Sequence, residues 1–291
     1  MAHEHHEGDE PVRLTRWQRL GIRELRRKAG RDGGEPLQPE DWKIAWKLHS
    51  TGAGGVVGRF LRSLPSSPRC CICGAPFAGP GSRIAGPLGY RPSRKNPTIC
   101  SVCVEFSPPG GMNMETGVLF ADLRGFTERS EGIDPREVSE SLRRFYRCAE
   151  DVLFPEAVID KLIGDEVMAL YLPHVQVRFD EDEVPSLMLE HGRELLRAVG
   201  YGSAEGPFVE MGIGIDFGEA FVGNIGERAL YDFTAVGDVV NTASRLQGEA
   251  GGGEIVISER VAAGLPEPAG ARVELSLKGK SGPQVAYRVT T

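Results

Sequence analysis

Apolar positions in the second half of the chain follow two spacings, which predict a mixture of strands and helices. Helical spacing covers 134–153, 184–199 and 237–247, and Asp134 followed by Pro135 predicts where the first of these helices begins. Short apolar runs typical of buried strands lie at 118–121, 158–163, 166–172, 208–215, 218–224, 255–257, 273–277 and 285–289. Because these elements do not alternate strictly as βαβ units, we expect an α+β fold with a mainly antiparallel sheet covered by helices.

The first 110 residues follow a different pattern. Residues 1–37 are polar and then strongly basic, which favours a partly disordered tail. The apolar residues of its basic part share one helical face: Leu14, Trp17, Ile22 and Leu25. Such a helix either contacts an anionic membrane surface or a partner, or packs on its own protein with its basic side in solvent. Residues 38–110 combine a helical stretch with a loop rich in Pro, Gly and Cys, which needs an outside constraint to fold.

Composition narrows the class of protein. The 291 residues are 40% hydrophobic and 26% charged, the balance of a globular protein with a sizeable core. The formal net charge of −7 disfavours nucleic-acid binding by the whole surface. No apolar run is long enough to span a membrane and no signal-peptide pattern opens the chain, so we expect a cytoplasmic protein.

Four of the six cysteines form two CxxC pairs, Cys70 with Cys73 and Cys100 with Cys103. Each pair places two thiolates in one tight turn, and two such turns complete a tetrahedron around Zn²⁺. The 26 residues between the pairs exceed the usual spacing of such zinc sites, but a longer loop is no geometric obstacle. Four thiolates also suit an iron–sulfur cluster, and free thiols in a loop are the third alternative. We expect a structural zinc ion, because 65–110 otherwise lacks a core.

Two acidic residues stand where strands end. Asp122 follows the buried run 118–121 and precedes a glycine-containing turn, and Asp165 lies at the tip of a hairpin. Two carboxylates on neighbouring strand ends suit Mg²⁺, which takes one or two protein oxygens together with phosphates and water. Asn241 and Arg245 are four apart on a predicted helix and therefore share a face, where an amide and a guanidinium suit a ribose and a phosphate. These patterns together predict a metal-dependent nucleotide site.

Five segments carry a resemblance to a known family: LFADLRGFT, KLIGDEVMA, GIGIDFGEAFVGNIG, VGDVVNTASRL and LKGKSGPQVAYRV. Residues 116–289 closely resemble the catalytic domain of class III adenylate and guanylate cyclases. The resemblance implies a ferredoxin-like fold for 111–291. Residues 1–110 lie outside it, and their composition divides them into the basic tail 1–37 and the helical, four-cysteine, metal-binding region 38–110.

The resemblance implies two Mg²⁺ or Mn²⁺ ions per site. Asp122 and Asp165 would ligate them with help from the Leu123 carbonyl. One ion would lower the pKa of the ribose 3′-hydroxyl for attack on the α-phosphate, and the other would steady the triphosphate as pyrophosphate leaves.

The resemblance also assigns the substrate contacts. Asn241 would orient the ribose, and Arg245 would stabilise the charge that develops on the α-phosphate. Lys278 would hold the terminal phosphates. The turn after the first strand, whose backbone N–H groups can cradle phosphate, supplies three further substrate-binding positions: Gly125, Phe126 and Thr127.

Lys161 and Thr234 occupy the two positions that contact the purine in this family. An ammonium only donates, so it suits N1 of adenine, an acceptor, and not N1 of guanine, which carries a hydrogen. The Thr234 hydroxyl can accept from the adenine amino group. Because guanylate-specific members have Glu and Cys here, we expect ATP as the substrate, with GTP as the alternative.

In this family the metal carboxylates of one subunit and the purine, ribose and phosphate residues of its partner build one pocket. This chain carries both sets, so we expect a homodimer with two equivalent sites. Two other hypotheses stay open. In the first, the chain is a catalytically silent nucleotide-binding or regulatory module. In the second, it is a cyclase whose cysteine region senses redox state or metal.

Overall fold

The computed structural model of the protein describes residues 23, 26–28, 30, 41, 53–94, 96–104, 110–126, 132–173, 175–176, 180–227 and 230–290. The predicted amphipathic helix of the basic tail lies almost wholly outside these residues, and Thr127 also lies outside them.

Helices and eight strands lie within the residues that the structure describes. The helices are α1 (Ala53–Ser63), α2 (Gly79–Ala85), α3 (Ser101–Val104), α4 (Pro135–Leu153), α5 (Val184–Val199), α6 (Asp238–Glu249) and α7 (Glu259–Ala263). Two 3₁₀ turns cover Gly86–Leu88 and Glu181–Glu183. The strands are β1 (Gly110–Leu123), β2 (Val158–Ile163), β3 (Glu166–Tyr171), β4 (Met211–Glu227), β5 (Leu230–Val236), β6 (Glu254–Ser258), β7 (Ala271–Leu275) and β8 (Gln284–Thr290).

The strands form one sheet in the order β2-β3-β1-β4-β6-β8-β7, and β5 pairs with the far end of β4. All neighbouring pairs run antiparallel except β4 and β6, which are parallel. The two longest strands, β1 and β4, are paired at the centre, with Asp122 opposite Gly212 near one end. The α+β fold with a mainly antiparallel sheet, predicted from the sequence, is confirmed.

The two faces of the sheet bury different partners. Side chains alternate across a strand, so Leu119 and Ala121 of β1 face one way and Val118 and Phe120 the other. The first face packs against α4 and α5. The second packs against α6 and against the four-cysteine region, so that region shares a hydrophobic core with the sheet.

Helix boundaries in the second half follow the sequence closely. Asp134 accepts a hydrogen bond from the Arg136 N–H at 2.8 Å, which makes it the N-cap of α4. The hairpin around Gly164 also forms as predicted, with Gly164 at φ 62°.

Two strand predictions were wrong. The strands predicted at 208–215 and 218–224 form one strand, β4, which begins at Met211. Asp216 continues the strand between them, and its buried carboxylate is paired to Arg260 at 2.5 Å. Strand β5 was missed altogether. Its sequence LYDFTAV alternates weakly, and its place is fixed by pairing with β4.

Gly214 lets α6 approach the centre of the sheet. A Cβ at this position would lie 2.1 Å from the Gln247 backbone nitrogen and 2.3 Å from the Ala243 carbonyl oxygen. Both atoms belong to the helix backbone, so they cannot move aside without moving α6. The helix that carries Asn241 and Arg245 is therefore positioned by a residue without a side chain.

We expect Gly214→Ala to lower the free energy of unfolding by about 1–3 kcal/mol, the usual penalty for overpacking a core. Gly248→Ala is the matched control, because Gly248 lies in the same helix with no atom near its missing Cβ. That substitution should raise stability by up to about 1 kcal/mol through helix propensity. Urea unfolding of both variants checks this, and equal stabilities would contradict the close approach of α6.

Candidate active site

The carboxylates predicted to hold divalent cations are neighbours. Asp122 is the penultimate residue of β1, and Asp165 is in the turn between β2 and β3. The backbone N–H of Leu123 donates to the Asp165 carbonyl oxygen at 3.2 Å, which joins the two segments. A third acidic residue, Glu166, pairs with Asp122 across the β1–β3 ladder. The fold thus collects three carboxyl groups where β1, β2 and β3 meet at one end of these strands.

Electrostatic repulsion follows from this arrangement. Burial and then the charge of Asp165 raise the pKa of Asp122, while a hydrogen bond from Gln247 and the charge of Arg124 oppose the rise. Burial and the charges of Asp122 and Asp165 likewise raise the pKa of Glu166. A divalent cation would offset this repulsion, and hard oxygen ligands are what Mg²⁺ and Mn²⁺ take. The donor set therefore fits the predicted ions.

Two residues that the sequence did not single out hold Asp122 in place. Gln247 donates through Nε2 to Asp122 Oδ2 at 3.1 Å, and Arg124 Nη1 lies 3.9 Å from the same oxygen. Arg124 also donates to the Gln247 carbonyl. Asp122 keeps 25% of its side chain exposed, so a cation can still reach it from solvent. Only the tertiary structure reveals these contacts, because Gln247 is 125 positions away from Asp122.

The predicted phosphate-binding residues lie around α6. Asn241 is exposed on the helix, and Arg245 reaches the turn after Leu277: a Cβ at Gly279 would be 3.4 Å from Arg245 Nη2. Lys278 is exposed in that same turn. Lys280, which sequence analysis overlooked, ties the turn to the start of α6 through an ion pair with Asp238 at 2.6 Å.

Lys161 and Thr234 come from strands that are not neighbours in the sheet, β2 and β5. Thr234 nevertheless reaches the strand that carries Lys161, because its hydroxyl donates to Oδ2 of Asp160, the residue before Lys161, at 2.6 Å. Asp160 was also missed by sequence analysis.

The turn predicted to cradle phosphate is partly described. Gly125 is exposed at φ 62°, which favours glycine, and Phe126 packs against the core shared with α4 and α5. Phe126 is therefore half-buried, so a phosphate contact made by Gly125 or Phe126 would fall to their backbone groups.

The four cysteines converge at one point. Their sulfur atoms all lie within 4.8 Å of one another, and all four residues are buried. The sulfur of Cys70 is 3.9 Å from that of Cys103, and the sulfur of Cys73 is 3.7 Å from that of Cys100. Bonds of 2.3 Å to a central zinc ion would place tetrahedral thiolates roughly 3.8 Å apart. The separations fit a single tetrahedral ion.

The buried surroundings of the four cysteines disfavour the charged thiolate form unless a cation neutralises it. Burial raises the pKa of the Cys100 and Cys103 thiols well above the usual value, since a charged sulfur there has no water. The Cys100 backbone N–H donates to the Cys70 sulfur at 3.2 Å. An iron–sulfur cluster puts several atoms of its own between the thiolates, so sulfurs this close suit one ion better.

Comparisons with known proteins identify the family to which this site and fold belong. Residues 112–290 match the family model described as the adenylate and guanylate cyclase catalytic domain. The match covers more than half of the chain. The chain therefore belongs to this family.

Curated relatives agree with the family match. The chain is 30% identical to an adenylate cyclase of Anabaena cylindrica over 207 residues, which are 63% of this chain and 40% of the relative. It is 31% identical to adenylate cyclase 1 of Rhizobium meliloti over 146 residues, or 49% of this chain and 22% of the relative. The chain thus spans well under half the length of these two relatives.

Solved structures show the same fold. The guanylyl cyclase Cya2 superimposes with a TM-score of 0.54 at 30% identity, covering 62% of this chain and 93% of that one. The adenylyl cyclase CyaB of P. aeruginosa gives a TM-score of 0.53 at 25% identity, covering 62% and 96%. Among the helices that the structure describes, none has the length and apolar character of a membrane span.

We expect the purified full-length chain to carry one zinc ion, and Cys73→Ser to lose it because one of four ligands is gone. Cys71→Ser is the matched control, since the Cys71 sulfur points away from the cluster and donates to the Ala157 carbonyl at 3.2 Å. Mass spectrometry of bound metal checks both. Equal zinc content in the two variants would contradict the four-thiolate site.

Proposed function

We propose that the chain is an adenylate cyclase that converts ATP into 3′,5′-cyclic AMP and pyrophosphate. The ribose 3′-oxygen bonds to the α-phosphorus, the bond from that phosphorus to the bridging oxygen of the β-phosphate breaks, and the hydroxyl proton passes to solvent. Family membership, together with the convergence of the segments that carry Asp122 and Asp165 at the end of β1, carries this proposal.

Asp122 and Asp165 would hold Mg²⁺ or Mn²⁺, with the Leu123 carbonyl as a further ligand. When bound, such ions lower the pKa of a coordinated hydroxyl and neutralise phosphate charge. Gln247 and Arg124 fix the orientation of the Asp122 carboxylate through their contacts with it. Their role is to hold this ligand ready, so that little reorganisation is needed when nucleotide arrives.

Arg245 and Lys278 supply positive charge for the phosphates. Lys278 directly precedes Gly279, and Arg245 reaches that glycine, so both cations arise at one turn. This supports a shared anion site, because cations that line one site attract a polyanion. Arg245 stabilises the charge that grows on the α-phosphate in the transition state. Asn241, one turn earlier on α6, orients the ribose.

Lys161 and Thr234 contact the purine. The donor-only ammonium of Lys161 suits N1 of adenine, and the Thr234 oxygen accepts from the adenine amino group. The similarity to the guanylyl cyclase Cya2 keeps guanylate cyclase activity as the second candidate.

The active form is a homodimer with two sites, each taking its metal carboxylates from one chain and its remaining residues from the other. The four-cysteine region holds zinc, which would fix the two CxxC turns of a region that shares a hydrophobic core with the sheet.

Incubating the full-length chain with ATP or GTP in the presence of Mn²⁺, and identifying the product, tests the proposal. We expect cyclic AMP from ATP and a smaller kcat/KM for GTP. Cyclic GMP formed from GTP in excess of cyclic AMP formed from ATP would make the chain a guanylate cyclase. Nucleotide binding without any product would make it a silent nucleotide-binding module.

We expect Asp122→Ala and Arg245→Ala each to be inactive alone, since one lacks a metal ligand and the other the transition-state cation. A mixture of the two variants should recover activity, because a mixed dimer holds one intact site. As a control, a mixture of Asp122→Ala with Asp165→Ala should stay inactive, since both changes fall on the same half of the pocket. Failure of the first mixture, with subunit exchange demonstrated, would contradict the shared site.

A further inference from the structure

Strand β2 contains a bulge at Asp160, immediately before Lys161. Ile159 is opposite Ala169 on β3, and Lys161 is opposite Met168, so Asp160 is the extra residue on its strand. A bulge redirects a side chain and is often found beside functional sites. Here it turns the Asp160 carboxylate towards β5, where Oδ2 accepts the Thr234 hydroxyl hydrogen at 2.6 Å.

The carboxylate of Asp160 is an unusual group to bury. Its Oδ1 has no hydrogen-bond partner among the residues that the structure describes. Burial raises the pKa of Asp160 to about 6, although the bond from Thr234 and the charge of Lys161 lower it. At neutral pH the group is mostly ionised and can only accept hydrogen bonds.

An ionised Asp160 decides what Thr234 can offer to a ligand. A hydroxyl group has one hydrogen, and here that hydrogen is committed to Asp160. The threonine oxygen then presents only lone pairs. At C6 adenine carries an amino group, which donates, whereas guanine carries a carbonyl, which accepts. Thr234 in this state suits adenine and opposes guanine.

The four-cysteine region holds the bulge from the other side. Asn96 is 6% exposed and donates through Nδ2 to the Ile159 carbonyl at 2.8 Å. Its Oδ1 in turn accepts from the backbone N–H of Thr98 at 3.0 Å and from its hydroxyl at 2.6 Å. The Thr98 carbonyl accepts from the Cys71 N–H at 3.1 Å. Direct contacts therefore run from the first CxxC turn to the bulge.

We propose that Asp160 is a specificity-determining residue that makes the purine subsite select ATP over GTP by fixing the Thr234 hydroxyl as an acceptor, and that Asn96 of the four-cysteine region positions it. This inference rests on the proposed function, in which Lys161 and Thr234 contact the purine. Asp160 and Asn96 are positioning residues, because both act through Thr234.

Asp160→Asn in the full-length chain is the first test. An amide can donate to the Thr234 oxygen, which frees the hydroxyl hydrogen for the O6 carbonyl of guanine. We expect the ratio of kcat/KM for ATP to that for GTP to fall about tenfold, the factor that one ordinary hydrogen bond controls. Asp151→Asn, which removes an exposed carboxylate from α4, should leave the ratio unchanged.

Asn96→Ala tests the link to the cysteine region. The substitution removes the hydrogen bond from Asn96 to the Ile159 carbonyl, which holds the bulge. We therefore expect the ratio of kcat/KM for ATP to that for GTP to fall, as in Asp160→Asn, while the protein retains its bound zinc. Retained zinc shows that the region still folds, which separates a positioning effect from unfolding.

A second test uses the wild-type protein alone and measures how the ratio of kcat/KM for ATP to that for GTP changes with pH. As pH falls through about 6, Asp160 takes up a proton and can donate to Thr234, so ATP preference should decline. Among the residues that the structure describes, the charged groups around Asp160 are Lys161 on its own strand and Asp232 on β5. The other elements near Asp160 present uncharged groups. Met168 and Ala169 lie opposite the bulge on β3, and the cysteine region contributes the Asn96 amide. From α4, the Tyr146 hydroxyl contacts the Gly164 carbonyl beyond the end of β2. Asp160→Asn should flatten the profile.

The outcomes separate this inference from the proposed function. If the wild type cyclises ATP but Asp160→Asn keeps its ratio, or if the wild-type ratio is flat from pH 5 to 8, only this inference fails. A wild type that prefers GTP also overturns it. If the wild type neither cyclises nor binds fluorescent analogues of ATP and GTP, both proposals fail.

Discussion

The antiparallel pairing of β1 with β4 is the constraint on which the rest of the structure depends. All 14 residues of β1 are paired in one unbroken register. Because side chains alternate, this register decides which face meets α4 and α5 and which meets α6 and the cysteine region. It also sets Asp122 opposite Gly212, where the lack of a side chain leaves room for Arg124. A slip by one residue would turn the core outwards and remove the site.

The same constraint concentrates negative charge. Once β3 pairs with β1, Glu166 and the hairpin tip at Asp165 must lie beside Asp122, and partial burial limits how far water screens their charges. Folding alone therefore creates a group of carboxylates that a cation stabilises. On the second face, four buried cysteines form a second group that a cation would stabilise. The hydrogen bond from Asn96 to the Ile159 carbonyl joins that region to β2, the strand that carries Lys161.

Sequence patterns predicted the fold class, the helices α4 and α5 and the pairing of CxxC turns, because each depends on local spacing. They could not predict β5 or the continuity of β4, which depend on strand pairing and on the ion pair of Asp216 with Arg260. Residues that act by contact across the fold, such as Gln247 on Asp122 and Asp160 on Thr234, have no local signal. They become visible only when distant segments meet.

The most direct test of the account is the pKa of the Asp122 carboxyl group, followed by ¹³C NMR in metal-free wild-type protein and in Asp165→Asn. If folding holds the two carboxylates together so that they can share a cation, removing the charge of Asp165 must lower the pKa of Asp122. An unchanged pKa would show that the two groups do not sense each other and would contradict the proposed cation site.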